Sequence, residues 1–301
     1  MSADNRHHDA ILRDAADRLS SEESLTGICA SLCHRGPLPS HDAARQIVDL
    51  TRAIVFPGYF GDNDAGCENI RDFTGVWIEK LYRILSHQIH AGISLNGSPV
   101  DARNIAEEKA DRFISRLPEL RRLLKADAIA TYHGDPAASS VGEVIYCYPG
   151  ISAICHYRIA HELSLLGVPV LPRMISEQAH SETGVDIHPD ATIGESLTID
   201  HGTGIVIGAT AIVGNNVKIY QGVTLGAKSF DLDDNGNPVK GVPRHPIIGN
   251  NVIIYSNATI LGRITIGDNA VIGGNIWVTQ DVEPGEKLIQ AKANNILRLK
   301  N

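Results

Sequence analysis

From Ile187 onward every sixth residue of this chain is a branched or small apolar one, and that period leaves few folds open. The series runs Ile187, Ile193, Ile199, Ile205, Ala211, Val217 and Val223, then resumes as Ile248, Ile254, Ile260, Ile266, Ile272 and Val278. A helix repeats near 3.6 and a half-buried strand near 2, so a strict period of six fits neither. Glycines punctuate the series at Gly194, Gly208, Gly214, Gly267 and Gly273, and short residues recur four places after a mark, as at Ala191, Ala209, Ala258 and Ala270. Each hexad therefore reads as one short strand plus a tight corner, and three hexads as one coil of a triangular prism. The thirteen hexads predict about four coils of a left-handed parallel β-helix, whose apolar marks point inward and stack from coil to coil.

Two other segments frame this repeat. Residues 228–245 are polar and rich in turn formers (Asp231, Asp233, Asp234, Asn235-Gly236-Asn237-Pro238, Gly241), too long for a corner, and predict a loop projecting from the prism and ending in Arg244-His245-Pro246. Before about residue 180 the apolar residues recur at helical spacing instead. Four stripes stand out: Ala44 to Val55, Val76 to Ile89, Phe113 to Leu124 (with Pro118 expected to break or kink it), and Ile154 to Leu166. Turn signals separate them at Pro57-Gly58, Asn96-Gly97-Ser98-Pro99 and Gly134-Asp135-Pro136. The expected organisation is α+β: an all-helical domain over 1–180, the solenoid over 181–280, and a tail over 281–301. After Pro284-Gly285 that tail reads as helix-like and basic through Leu288, Ile289, Ile296, Leu297 and Leu299, capping the solenoid.

Composition excludes several function classes. With 27 Lys+Arg against 35 Asp+Glu and no basic run, the footprint of a nucleic-acid binder is missing. No stretch approaches the roughly 20 apolar residues of a membrane span, and residues 1–10 hold no signal-peptide core, so a cytoplasmic protein is expected. Five cysteines (Cys29, Cys33, Cys67, Cys147, Cys155) argue against a disulfide framework. Cys29 and Cys33 lie beside His34, but no second pair with zinc-ligand spacing follows, and no metal site is expected.

Chemistry is sought where polar residues interrupt the repeat: Asp186 with His188, Asp200 with His201, Arg244 with His245, and Asp135 in Gly134-Asp135-Pro136-Ala137. A coil of about 18 residues places His201 one coil above position 183, three residues from Asp186, so a carboxylate–imidazole contact between coils is allowed. Such a pair activates a hydroxyl: the imidazole takes the proton and the carboxylate orients it. A histidine hydrogen-bonded in a corner fits the same spacing.

The runs Val185-Asp186-Ile187-His188-Pro189, Ile199-Asp200-His201-Gly202-Thr203-Gly204-Ile205-Val206-Ile207-Gly208, Gln221-Gly222-Val223-Thr224-Leu225-Gly226 and Arg244-His245-Pro246 resemble the serine O-acetyltransferase family. Gly134-Asp135-Pro136-Ala137 and Tyr157-Arg158-Ile159-Ala160-His161 match upstream, in the same order. The likeness spans roughly residues 130–278; the first 130 resemble the longer bacterial form. It implies His201 as general base with Asp186 orienting it, Asp135 and Asp200 on the serine ammonium, and Arg244 with His245 on its carboxylate. Two carboxylates at one end and a guanidinium at the other also suit a zwitterion physically. It further implies acetyl-CoA as co-substrate, with no tightly bound cofactor, lying between neighbouring prisms near Gly226, Ala227, Ser256 and Gly274, in a homo-oligomer that is a trimer or a dimer of trimers. Three features depart from the family: Ala209 replaces a usual Glu, the loop before Arg244 is longer than in short members, and Leu299-Lys300-Asn301 lacks the terminal isoleucine that docks into the sulfhydrylase partner.

Other readings remain. An acetyltransferase acting on a sugar or antibiotic hydroxyl explains the solenoid and His201 but not Asp135, Asp200 and Arg244 together. A zinc-dependent solenoid carbonic anhydrase would use His188, His201 and His245, against the positive charge of Arg244. A non-catalytic assembly subunit would leave Asp186 and His201 unused.

Overall fold

The computed structural model describes residues 3–28, 36–61, 69–95, 100–230 and 232–291. Cys29, Cys33, His34, Cys67, Asn96–Pro99, Asp231, Ile296, Leu297 and Leu299 lie outside these residues.

Among the described residues the N-terminal part holds eight helices: α1 (Ala3–Leu19), α2 (Glu22–Leu25), α3 (His41–Val55), α4 (Ile70–Leu95), α5 (Ala102–Gly134), α6 (Val141–Cys147), α7 (Pro149–Leu165) and α8 (Leu171–Thr183). Serine caps start three of them, Ser21 accepting from the Ser24 N–H, Ser40 from that of Ala43 and Ser140 from that of Glu143. Gly184 stops α8 in the left-handed conformation, φ 71°. The predicted stripes form the helical core through Ile47, Val48, Trp77, Leu81, Leu85, Phe113, Leu120, Ile159 and Leu163, while Val76 is exposed. Helix α5 is continuous through Pro118, contrary to a break there. Leu117, Leu120 and Leu124 bury on either side, and this packing outweighs the hydrogen bond the proline removes.

Fourteen short strands follow among the described residues, all parallel, in three sheets. The first sheet stacks β1 (Asp186–Ile187), β4 (Val206–Ile207), β7 (Thr224–Gly226), β10 (Thr259–Leu261) and β13 (Trp277–Val278). The second stacks β2 (Thr192–Ile193), β5 (Ile212–Val213), β8 (Ile247–Ile248) and β11 (Thr265–Ile266). The third stacks β3 (Thr198–Asp200), β6 (Lys218–Tyr220), β9 (Ile253–Ile254), β12 (Val271–Ile272) and β14 (Lys287–Leu288). This is the triangular solenoid the period demands, with about five coils rather than four, because residues 282–288 continue it. Val282 bridges Ile266 and β14 pairs with β12, so Lys287 and Leu288 are strand, not the start of a helical tail.

The register differs from a strict six at one corner. Asp186 pairs with Val206, a step of 20 residues, whereas Val206 to Thr224 and Thr259 to Trp277 step by 18. Two extra residues thus sit between β3 and β4, in Asp200–Gly204. Beyond them the inward strand residues are Ile207, Val213, Ile219 and Leu225; Ile205, Ala211, Val217 and Val223 are equally buried but occupy the corners two places earlier. At another corner Asn216, Asn251 and Asn269 all adopt positive φ, and their side chains hydrogen-bond in a ladder from coil to coil.

Helices α5 to α7 seal the base of the prism, so one apolar core runs from Leu124, Val144 and Ile154 through Ile187 and Ile199 to Ile272. The seal also has a polar clasp. Arg158 on α7 makes a bidentate pair with Asp127 on α5 (2.5 and 2.9 Å) and donates to the Gly194 carbonyl, while Asp127 accepts from the Leu197 N–H. Tyr157 donates to the Ala191 carbonyl, and His161 Nδ1 lies 2.7 Å from the Pro189 carbonyl. The Tyr157–His161 run is therefore the joint between helices and solenoid.

Candidate active site

Predicted site residues gather at two different corners of the prism. The first corner, between the third and first sheets, carries His201. Its φ of 59° is a left-handed value that non-glycine residues rarely adopt, and its side chain is 74% exposed. Nε2 lies 3.7 Å from Asp200 Oδ1. The other Asp200 oxygen is 3.4 Å from Lys218 Nζ. Beside them, where α5 ends, Asp135 accepts from the Tyr148 hydroxyl (2.7 Å) and the Ala137 N–H (2.8 Å). These hydrogen bonds, with Lys218 and His201 nearby, hold the Asp135 carboxyl below the usual carboxylate range, and Asp135 in turn pushes Tyr148 up to about 12. The corner continues upward: Asn257 N–H donates to the Gln221 carbonyl and Asn275 N–H to that of Ser256. Ser256 and Gly274 stack here, so closely that a Cβ on Gly274 would sit 3.0 Å from the Ser256 carbonyl.

The second corner, between the first and second sheets, is where the long loop leaves and returns. That loop turns at Asp233–Gly236, with an antiparallel bridge between Leu232 and Pro238. On its return Thr210 organises the chain: its hydroxyl accepts from the Arg244 and His245 N–H groups and lies 2.8 Å from His245 Nδ1. That ring nitrogen also accepts from the Thr210 N–H, so the neutral ring carries its proton on Nε2. Burial, then the adjoining Arg244, pushes His245 down to about 4. His245 lies on Gly208, where any Cβ would meet Nε2 at 2.1 Å, so glycine is required. Arg263, one coil up, donates to the Thr210 and His245 carbonyls. Arg244 stands 5.5 Å over the Phe230 ring, and its buried Nε has no hydrogen-bond partner among the described residues. Gly226 ends β7 here, with its carbonyl bonded to the Gly262 N–H, and Ala227 follows it into the loop. His188 Nδ1 accepts from the Asp190 N–H; burial lowers its pKa, with Arg173 adding to that and Asp186 opposing.

Asp135, Asp200, His201, Ser256 and Gly274 thus share one corner, and Arg244, His245, Gly226 and Ala227 the other. Asp186 stands on β1 between them and makes no ion pair within 4.0 Å among the described residues. The observed step from Asp186 to its paired residue Val206 is 20 residues, two more than the 18 that set His201 above position 183. Among the described residues no group of three His, Cys, Asp or Glu side chains is arranged to hold a metal ion, and no helix is long and apolar enough to cross a membrane. Four contributors escaped sequence reasoning: Tyr148, Lys218, Thr210 and Arg263. Thr210, a hydroxyl where a small residue suffices, was findable; Lys218 and Arg263 meet partners as far as 84 and 53 residues away, and Tyr148 meets Asp135 only through the fold of the chain between them.

A parallel prism with an acid–base corner and an arginine-bearing loop defines a hexapeptide-repeat transferase, and residues 245–275 match the family described as bacterial transferase hexapeptide (six repeats). A plasmid serine acetyltransferase of Synechococcus elongatus is 46% identical over 264 residues, covering 85% of this chain and 83% of that one. Serine acetyltransferase isoform 3 of Entamoeba histolytica, solved in complex with cysteine, superposes with a TM-score of 0.72 at 34% identity, over 89% of this chain and 86% of that one. The Neisseria gonorrhoeae serine acetyltransferase solved with serine gives 0.54 at 30% identity, over 84% and 97%. The chain belongs to the serine acetyltransferase family.

Proposed function

We propose that this chain transfers the acetyl group of acetyl-CoA to the hydroxyl of L-serine, giving O-acetylserine and CoA, in cytoplasmic cysteine biosynthesis, at a site completed by a neighbouring copy. The observation that carries this reading is the split of the polar residues onto two corners. A zwitterion needs carboxylates and a guanidinium within the length of one amino acid, and a trimer of prisms sets one copy's first corner against the next copy's second. Asp135 and Asp200 then take the ammonium, Arg244 and His245 Nε2–H the carboxylate. His201 removes the hydroxyl proton, oriented by a carboxylate, for which Asp186 and the nearer Asp200 are the available groups. The serine oxygen attacks the thioester carbonyl, the C–S bond breaks, and the imidazolium returns its proton to the CoA thiolate. No acyl-enzyme forms. Acetyl-CoA lies along the groove between prisms, past Ser256 and Gly274 of one copy and Gly226 and Ala227 of the next.

Two measurements test this. Thiol release from acetyl-CoA should be fastest with serine; equal rates with homoserine, threonine or sugars defeat the substrate assignment. Inactive His201→Ala and Arg244→Ala proteins, unfolded together and refolded as mixed oligomers, should regain activity, because some interfaces then hold both intact corners. No recovery places both corners of a site in one chain.

A further inference from the structure

Lys218 faces outward on β6, at a position where acetyl transfer to a hydroxyl calls for no cation. Its ammonium is nevertheless held on several sides. Nζ donates to the Gly134 carbonyl at 2.7 Å, lies 3.4 Å from Asp200 Oδ2, and sits 4.7 Å from the centre of the Tyr220 ring, which is itself stacked on Tyr255. The side chain is 18% exposed. Gly134 is the last residue of α5, so Lys218 binds a carbonyl at the negative end of that helix, immediately before Asp135. One ammonium therefore links the helix end that presents Asp135 to the strand end that presents Asp200, the helical domain to the solenoid. It also offsets one of two carboxylates on the same corner. Without such a cation two carboxylates sharing a site repel, and one of them tends to take up a proton and lose its grip on an ammonium.

We propose that Lys218 is a positioning residue for the substrate ammonium, clamping Gly134 and Asp200 so that Asp135 and Asp200 face the site at fixed spacing with one net negative charge between them. The inference rests on the serine reading above. It also specifies the ligand class: a single ammonium fits, and a second positive charge does not.

The test is steady-state kinetics of Lys218→Met and Lys218→Arg, with serine and acetyl-CoA varied separately and the thermal midpoint measured alongside. Losing one charge-assisted contact in a partly exposed place predicts a roughly tenfold higher KM for serine in Lys218→Met, with kcat and the KM for acetyl-CoA changed less than about threefold, and substantial recovery in Lys218→Arg. An unchanged KM for serine overturns the proposal. A lower one does too, showing that Lys218 competes with the substrate for Asp200 rather than positioning it. Both KM values and the midpoint moving together, with no recovery in Lys218→Arg, would make it a general packing residue and equally end the idea. If the unsubstituted protein fails to acetylate serine, the serine reading has failed; if it acetylates serine and Lys218→Met keeps its KM, only the present inference has.

Discussion

Replacing Arg158 by methionine takes one partner from a buried ion pair and leaves the other in place. Arg158 is 4% exposed and Asp127 not at all. After the substitution the Asp127 carboxylate keeps the Leu197 N–H but loses both guanidinium bonds, and the Gly194 carbonyl loses its donor. Breaking a buried pair in this way costs about 3–5 kcal/mol, a large share of the roughly 5–15 kcal/mol that holds a typical domain together. At about 2–4 °C per kcal/mol the apparent midpoint should fall by roughly 6–20 °C. The pH dependence provides a second check. An uncompensated buried carboxylate has its folded pKa raised above the unfolded value, so the penalty is full at high pH and shrinks as pH falls through the folded pKa. Denaturation curves at pH 8 and pH 5 should therefore show the variant closer to the parent at pH 5. Replacing Asp127 by leucine as well removes the orphaned charge, so the double variant should lose less than the two single losses combined. A single variant within about 1 kcal/mol of the parent, or one that loses more at pH 5, would refute the clasp as the joint between helices and solenoid.

Three further outcomes follow. His201→Ala should lower kcat by roughly 10²–10⁴-fold with serine binding largely kept, measured by thiol release and by calorimetry with serine; a rate near the parent's removes His201 as the base. Gly208→Ala forces a methyl into the His245 ring, so kcat/KM for serine should fall at least about tenfold while the midpoint moves by only a few degrees; unaltered kinetics would mean His245 need not lie there. His245, buried beside Arg244, should remain neutral down to about pH 5 in an NMR titration, because its pKa is pushed down to about 4. Its folded pKa lies below the unfolded one, so its share of stability is present above the unfolded pKa and is lost as pH falls toward 4. An imidazolium signal at pH 6.5 contradicts the Thr210 hydrogen-bond pattern.

The sixfold period by itself determined the architecture, because each short strand of a solenoid repeats the same inward position and no helix or open sheet shares that spacing. It also marked residues 228–245 as an excursion, since nothing in a tight corner needs that many polar residues. The helical stripes were legible for the same reason, each helix burying one face. What the repeat could not convey was everything set by contacts between segments far apart in sequence. Pro118 stays within α5 because Leu117, Leu120 and Leu124 are packed by other helices. The two extra residues at Asp200–Gly204 look regular in sequence, since Ile205 and its successors are buried on either count; only strand pairing reveals the 20-residue step from Asp186 to Val206. Lys218 reaches Gly134 across 84 residues, and Thr210 fixes the tautomer of His245 across 35. Local periodicity encodes which face of a segment is buried; it holds no information about which distant polar group meets which, and that is decided only when the coils stack.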